Sequence, residues 1–332
     1  MADGGEVVYT ALEVIIAVGC CLGNVLVIWA VWTCGTLRQP TYCFIVSLAV
    51  ADCLVGAVAV PLAVLVDGRV EMPFHGCLFI SCVVIVLTQA SVNSLLAIAV
   101  DRSLRVYIPL KYKGRVKLLH SWIIVAVCWG TATALGFTPM FGWNNRESSN
   151  STIVCRFLTV IPMSYMVKFN FLSCLLPPMV IMSALYVYIF CTISRHLRGT
   201  MVRTVKPSAY YVKERKLASS LALVLALFAL CWLPLHIMNT IEFYSQGGRV
   251  PHLAFYVGIL LSHANSAVNP VVYAFRIPKI KQVYKTTLKK AFPCQRDPQN
   301  DQSRQVTDNN PSSSTNTTAK SFSNPAEQRV TA

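Results

Sequence analysis

The chain has 332 residues, of which 55% are hydrophobic and only 13% charged, with a mean hydropathy of +0.53. A soluble domain carries about 25% charged residues, so this composition excludes a water-soluble fold and indicates a polytopic membrane protein. The net charge is +15, but Lys and Arg lie between the apolar runs. They read as topology signals and inner-leaflet lipid contacts, which excludes a nucleic-acid surface.

Seven runs are long enough to span a bilayer, which takes about 20 apolar residues: Val7–Trp32, Thr41–Val66, Cys77–Val100 and a turn beyond, Trp122–Phe141, Ile161–Ser194, Lys216–Phe243 and Leu253–Phe275. The first run lacks a basic leader and is too long for a signal-peptide core, so it is expected to stay as a span behind an extracellular segment 1–6. Arg102, Arg105, Lys111, Lys113, Arg115 and Lys117 follow the third run. A second basic cluster from Arg195 to Lys216 separates the fifth and sixth runs, and a third begins at Arg276. The alternate connections are poor in Lys and Arg. Positive charge stays in the cytosol, so the amino terminus is expected outside and the carboxyl terminus inside.

That topology puts the acceptor Asn150-Ser151-Thr152 outside, where Asn150 is expected to be glycosylated. Cys77 heads the third run and Cys155 shares the outer loop with Asn150. The extracellular side is oxidising, so a Cys77–Cys155 bridge is expected. Most other cysteines sit inside apolar runs, where a thiol acts as a small hydrophobe. The sixth run carries Cys231-Trp232-Leu233-Pro234, and a proline there kinks the rod unless neighbours take up the freed carbonyl. After Phe275, residues Ile277, Ile280, Val283, Tyr284, Leu288 and Phe292 recur at helical spacing. Segment 276–293 therefore reads as an amphipathic helix on the inner membrane surface, with Cys294 a palmitoylation candidate. Residues 294–332 read as a disordered cytoplasmic tail with phosphorylatable Ser and Thr. The class is thus an all-α membrane protein, a seven-helix transmembrane bundle followed by a short surface helix. No internal repeat suggests a transporter, and no nucleophile–base or metal constellation suggests an enzyme.

Polar groups inside spans are costly and mark sites. Asn24, Asp52, Ser91, Asn265 and Asn269 cluster near the membrane middle. One carboxylate among neutral oxygens suits a hard monovalent cation such as Na⁺; the alternative is a protonated Asp52 in a hydrogen-bond network. Glu13, Thr88, Asn170, His236, Asn239, Ser262 and His263 lie toward the outer ends of five runs, as groups converging on a cavity would. Val84 and Ile85 stand where a carboxylate could pair with an amine, and the seventh run has no lysine for a Schiff base. The pocket therefore suits a neutral, polar, partly aromatic molecule.

Gly23-Asn24, Leu48-Ala49-Val50-Ala51-Asp52, Asp101-Arg102, Cys231-Trp232-Leu233-Pro234 and Asn269-Pro270-Val271-Val272-Tyr273 together resemble a rhodopsin-like G-protein-coupled receptor. Leu87-Thr88-Gln89, the stretch Thr138–Asn145, Leu235-His236-Ile237-Met238-Asn239 and Ser262-His263-Ala264-Asn265-Ser266 resemble the adenosine receptors, over about residues 8–294. The resemblance implies that adenine stacks on Phe157 and is held by Asn239. Ser262 and His263 then take the ribose, with Thr88 deeper and Glu13 orienting His263. Leu235, Met166, Val84, Ile85 and Ile259 form walls, and His236 and Asn170 the floor. It also implies an allosteric Na⁺ site at Asp52, Ser91, Asn265, Asn269 and Trp232. The switch to a G protein runs through Asp101, Arg102, Glu214, Trp232, Pro234, Tyr186 and Tyr273, with arrestin and receptor kinases acting on the tail. Leu158 departs from the family's acidic residue, and Ser103 from its tyrosine. Tyr42–Asp52 is similar to the inhibitory subtypes, one and three, and Tyr256–Asn265 to subtype three, whereas His236 is more like subtype one; a type-three-like receptor coupling to Gi is implied. A receptor for a related purine and a Gs-coupled subtype are the alternatives.

Overall fold

The computed structural model describes residues 4–33, 40–109, 112, 117–145, 152–202, 209–245, 248, 250–276, 281–282 and 286, all within one compact unit, Met1–Leu288. Seven long helices follow one another. They are α1 (Gly4–Thr33), α2 (Pro40–Leu65), α3 (Phe74–Tyr107), α4 (Leu118–Gly136), α5 (Tyr165–Leu175 continuing as Leu176–Val202), α6 (Ala209–Tyr244) and α7 (His252–Arg276). Six are long and apolar enough to cross a membrane. The other, α7, has 25 residues but carries Ser262, His263, Asn265, Ser266 and Asn269, all buried, so its polarity is turned into the bundle.

The helices outrun the apolar runs where polar residues continue the pattern. α3 extends to Tyr107 and so carries Asp101 and Arg102 on helix. α6 begins at Ala209, seven residues before Lys216. The fourth run divides instead: α4 ends at Gly136, and Thr138–Phe141 forms a 3₁₀ turn that closes on Gly142 at φ 114°. Pro139 has no N–H to continue α4, and the left-handed Gly142 reverses the chain. Prolines leave further marks. The helix widens to π form over Val55–Ala59 ahead of Pro61 and over Tyr165–Leu175 ahead of Pro177 and Pro178.

α3 is the central rod, packed on α2, α4 and α5, with buried residues along its length. α4 lies close against it because Gly136 has no side chain; a Cβ there would stand 2.5 Å from Val86 Cγ2 and 2.8 Å from the Val86 nitrogen. The main core contains Ile45, Leu48, Ile98, Ile189, Ile193, Leu221, Val224 and Phe228. A second cluster lies under the outer loops and contains Cys77, Cys155, Ile161 and Tyr165.

A two-stranded antiparallel sheet, absent from the periodicity reading, caps that end: β1 (Asp67–Pro73) pairs with β2 (Thr152–Arg156). The Cys77–Cys155 disulfide is formed, with the two Cα atoms 5.6 Å apart, and anchors β2 to the head of α3. Asn150, Cys34 and Cys294 lie outside the described residues, as do the amphipathic positions after α7 and the whole tail. Within 276–293 only Arg276, Lys281, Gln282 and Thr286 are described, and Thr286 Oγ1 donates to the Gln282 carbonyl at 3.0 Å.

Candidate ligand-binding site

A cavity opens at the sheet-capped end, with about 1150 Å³ of empty space including its mouth. Three residues of α6 reach it, Trp232, Leu235 and Asn239, spaced at roughly one helical face. α7 contributes Ile259, Ser262, His263, Asn265 and Ser266, and α3 contributes Val84, Ile85, Thr88 and Ser91. Met166 and Asn170 come from α5, and Phe157 and Leu158 from the turn that follows β2. The disulfide and β1–β2 pairing hold that turn over the mouth, and the Phe157 N–H donates to the Val66 carbonyl at 3.1 Å.

Two of the ligand residues expected from sequence are not in the lining. Glu13, 1% exposed, sits behind His263, whose Nδ1 meets both its oxygens at 2.8 and 2.9 Å. A carboxylate only accepts, so Nδ1 carries the proton, and in the neutral ring Nε2 is left as an acceptor. His236 is also away from the cavity. One residue on from Leu235 it is rotated about 100° around α6. Its ring stacks on Phe171 of α5, with centroids 4.8 Å apart and planes 9° apart, and lies 5.8 Å from Trp232. It joins α5 to α6 and does not form the cavity floor.

The hydroxyls in the lining have a definite polarity. Ser262 Oγ donates to the Ile259 carbonyl at 2.7 Å and Thr88 Oγ1 to the Val84 carbonyl at 3.0 Å. Both spend their proton on their own helix and keep lone pairs for a guest. With Nε2 of a neutral His263, these groups of α3 and α7 present acceptors, which is the complement of a ligand bearing several hydroxyl donors. Asn239 supplies a planar amide with both a donor and an acceptor, and Phe157 an aromatic face.

Below the cavity, Asp52 is fully buried and accepts from Ser91 Oγ and Ser266 Oγ at 2.9 Å each on Oδ1, and from Asn269 Nδ2 at 2.7 Å on Oδ2. Ser266 was not singled out from the sequence, although it stands three residues before Asn269 on the same face of α7. Asn24 does not touch the carboxylate; its amide nitrogen donates to the Cys20 and Ser266 carbonyls, both at 2.9 Å, and ties α1 to α7. Among the described residues no group of three or more His, Cys, Asp and Glu could hold a metal. A monovalent cation fits the donor set differently: one carboxylate, two hydroxyl oxygens that can turn their protons outward, and a path through Ser91, Asn265 and Ser266, which also line the cavity. Trp232 lines the cavity, and its buried Nε1 has no partner among the described residues.

At the opposite end Asp101 collects donors. Thr41 Oγ1 donates at 2.5 Å and Arg102 Nη2 at 2.6 Å, the Tyr112 hydroxyl donates to Oδ1, and Arg105 Nε lies at 3.3 Å. Burial and the neighbouring Asp101 carboxylate hold the Tyr112 phenol well above its ordinary pKa, so it remains a donor. Arg102 is 2% exposed. Glu214 falls on α6, but its side chain is outside the described residues. Tyr186 and Tyr273 are buried between this end and Asp52, and Tyr273 Oη has no partner among the described residues.

Residues 23–273 match the family described as the 7 transmembrane receptor (rhodopsin family). The chain is 45% identical over 294 residues to adenosine receptor A3 of Ovis aries and 44% to that of Bos taurus, covering 87% of this chain and 92% of each relative. It is 42% identical over 309 residues to adenosine receptor A2a of Homo sapiens, covering 89% of this chain and 75% of that relative. With the seven-helix bundle and its outer cavity, these likenesses establish the chain as a multi-pass plasma-membrane receptor, not an enzyme, of the adenosine receptor family within the rhodopsin-like G-protein-coupled receptors.

Proposed function

We propose that the chain senses extracellular adenosine and activates Gi, lowering cyclic AMP. The observation that carries this reading is the composition of the cavity lining: an aromatic face and a planar amide (Phe157, Asn239), together with hydroxyls that already donate to their own helices and so accept from a guest (Ser262, Thr88), and His263 held by Glu13. A purine edge needs a paired donor and acceptor, and a ribose offers hydroxyl donors. Adenosine carries both in one molecule. Contact with Trp232 then biases the α6 kink at Pro234, and the cytoplasmic end of α6 swings away from Arg102 to admit the G protein. In this reading the amino terminus is extracellular, Asn150 is glycosylated, Cys294 is palmitoylated, and the tail is a substrate for receptor kinases and a site for arrestin. Na⁺ at Asp52 favours the inactive state. Relatives of both the A3 and A2a kinds make the direction of the cyclic AMP change the informative measurement. In cells with stimulated cyclase, adenosine lowers cyclic AMP through the intact chain, and Asn239→Ala abolishes the effect. A rise in cyclic AMP replaces Gi by Gs, and a response untouched by Asn239→Ala rejects the pocket.

Leu158 favours a second reading, a preference for purines bearing an apolar group on the exocyclic nitrogen. It lines the mouth, 47% exposed, and has no acceptor to offer an amine. Leu158→Glu is expected to raise adenosine affinity about threefold to tenfold, a modest gain because the position is half open to water. Competition binding with adenosine and an N-alkylated analogue measures it, and equal affinities in both proteins reject this preference.

A further inference from the structure

Val84 and Ile85 leave α3 without a carboxylate at the outer cavity, but the fold brings one in from outside the apolar runs. Asp67 follows the second run, opens β1 and lines the cavity. Among the described lining residues it is the only Asp or Glu, and there is no Lys or Arg. With His263 neutral, the lining therefore carries one formal charge, and it is negative.

The backbone holds this carboxylate close to the aromatic face. The Val66 carbonyl accepts the Phe157 N–H at 3.1 Å, which ties the residue before Asp67 to the ring-bearing turn. Asp67 stands opposite Arg156 in the strand register, and the register slips before Glu71, an irregularity of the kind that re-aims a side chain. Arg156 is exposed and lies outside the lining, so it adds no cation to the cavity wall. Leading up to Asp67, residues Val55, Ala59, Ala63 and Val66 recur about once per helical turn and line the same cavity. They form an apolar strip that ends at the carboxylate. Asp67 is half-buried, so a charge beside it is screened less than on an open surface. A carboxylate accepts up to about four hydrogen bonds, so a guest ammonium can share it with protein donors.

We propose that Asp67 selects ligands by charge, and that the cavity takes a purine nucleoside bearing a protonated amine on a short apolar arm. The arm lies along Ala59 and Ala63, and its ammonium meets Asp67. This rests on the purine reading of the same cavity. With Asn239 holding the N6–N7 edge of adenine, C2 lies across the ring from α6, so C2 is the attachment point that leads away from Asn239. A neutral arm takes water from the carboxylate and returns no charge, and an anionic arm is repelled. The ammonium alone answers both the apolar strip and its end.

Competition binding on the full chain in membranes tests this, with adenosine and paired 2-alkyladenosines whose arms end in an amine or a hydroxyl, over a series of arm lengths. At the best length the amine is expected to bind about threefold to tenfold more tightly than its hydroxyl partner. That ratio should shrink as choline chloride raises the ionic strength, and fall to about one in Asp67→Asn and in Asp67→Ser. Saturable binding of a neutral, sugar-free antagonist verifies that each variant folds, and the ratio in the intact chain is read without any variant. Equal binding of amine and hydroxyl at every length, or a preference that survives both substitutions, overturns the proposal, while displacement by adenosine still upholds the purine reading. Displacement by neither adenosine nor any derivative overturns both.

Discussion

His263 donates from Nδ1 to a carboxylate that is itself almost wholly buried, and this fixes what the ring can do for a ligand. In the neutral ring Nε2 then accepts, and a sugar hydroxyl is a matching donor. Glu13→Ala leaves that N–H without its partner in a buried place, at a cost of about 1–3 kcal/mol, and frees the ring to turn. Agonist affinity is expected to fall about tenfold, equivalent to about 1.4 kcal/mol. Glu13→Gln, whose amide oxygen can still accept, should retain most of it. A flat purine-like ligand without a sugar should bind both variants as it binds the intact chain. Equal weakening of the sugar-bearing and sugar-free ligands in saturation binding would assign Glu13 a purely structural role. The sequence showed Glu13 and His263 as isolated polar groups 250 residues apart, and only the meeting of α1 and α7 makes them a pair. His236 shows the converse: its polarity marked it for the cavity, but its position beside Leu235 on α6 turned it to Phe171.

Elements were legible wherever membrane physics acts on single helices. Apolar length placed seven rods, with ends missed by up to eight residues where polar residues continue a helix, as in α5 to Val202, because a span must be about 20 apolar residues whatever its neighbours are. What periodicity could not reach is set by contact between elements. β1 and β2 have little alternation of their own and are strands because each supplies the other's hydrogen bonds beside Cys77–Cys155. The cavity's further lining on α2, including Val55, Ala59 and Ala63, was equally hidden, since small apolar residues look alike facing lipid or a ligand. Gly136 and Gly130 make the same point as a measurable pair. They lie six residues apart on α4, yet a Cβ on Gly136 meets Val86, whereas one on Gly130 meets nothing within 4 Å. Gly136→Val is expected to destabilise by about 1–3 kcal/mol or more through overpacking at backbone atoms. Gly130→Ala should be neutral or stabilise by up to about 1 kcal/mol through helix propensity. Thermal melts of the two purified variants in one detergent give the comparison; similar melting temperatures would mean that α4 does not lie this close to α3.

Across the whole bundle, Asp52 is the point at which the outer cavity and the cytoplasmic cluster can be coupled. Its donors come from α3 and α7, Ser91 and Ser266 reach both the carboxylate and the cavity, and Tyr273 lies buried one turn beyond Asn269. On the proposal that Na⁺ sits at Asp52 and that agonist contact with Trp232 moves α6, a cation there draws α2, α3 and α7 together and the agonist favours the other arrangement. The two ligands therefore prefer different states, and each must weaken the other by the same factor. The effect has a limit, because Na⁺ can change agonist affinity only by its own preference between the states. Agonist Kd is accordingly expected to rise with NaCl and then level off, while choline chloride at the same ionic strength leaves it unchanged. Both Asp52→Ala and Asp52→Asn should give flat curves; the second keeps the shape of the site and the acceptor for Ser91 and Ser266, removes the charge, and requires the Asn269 amide to turn its oxygen to the new N–H. If Asp52 is instead a protonated member of a hydrogen-bond network, Na⁺ and choline act alike in the intact chain. A saturating effect specific to Na⁺, absent with choline and lost in Asp52→Asn, assigns the cation to the carboxylate, because the asparagine keeps the volume of the site while removing its charge.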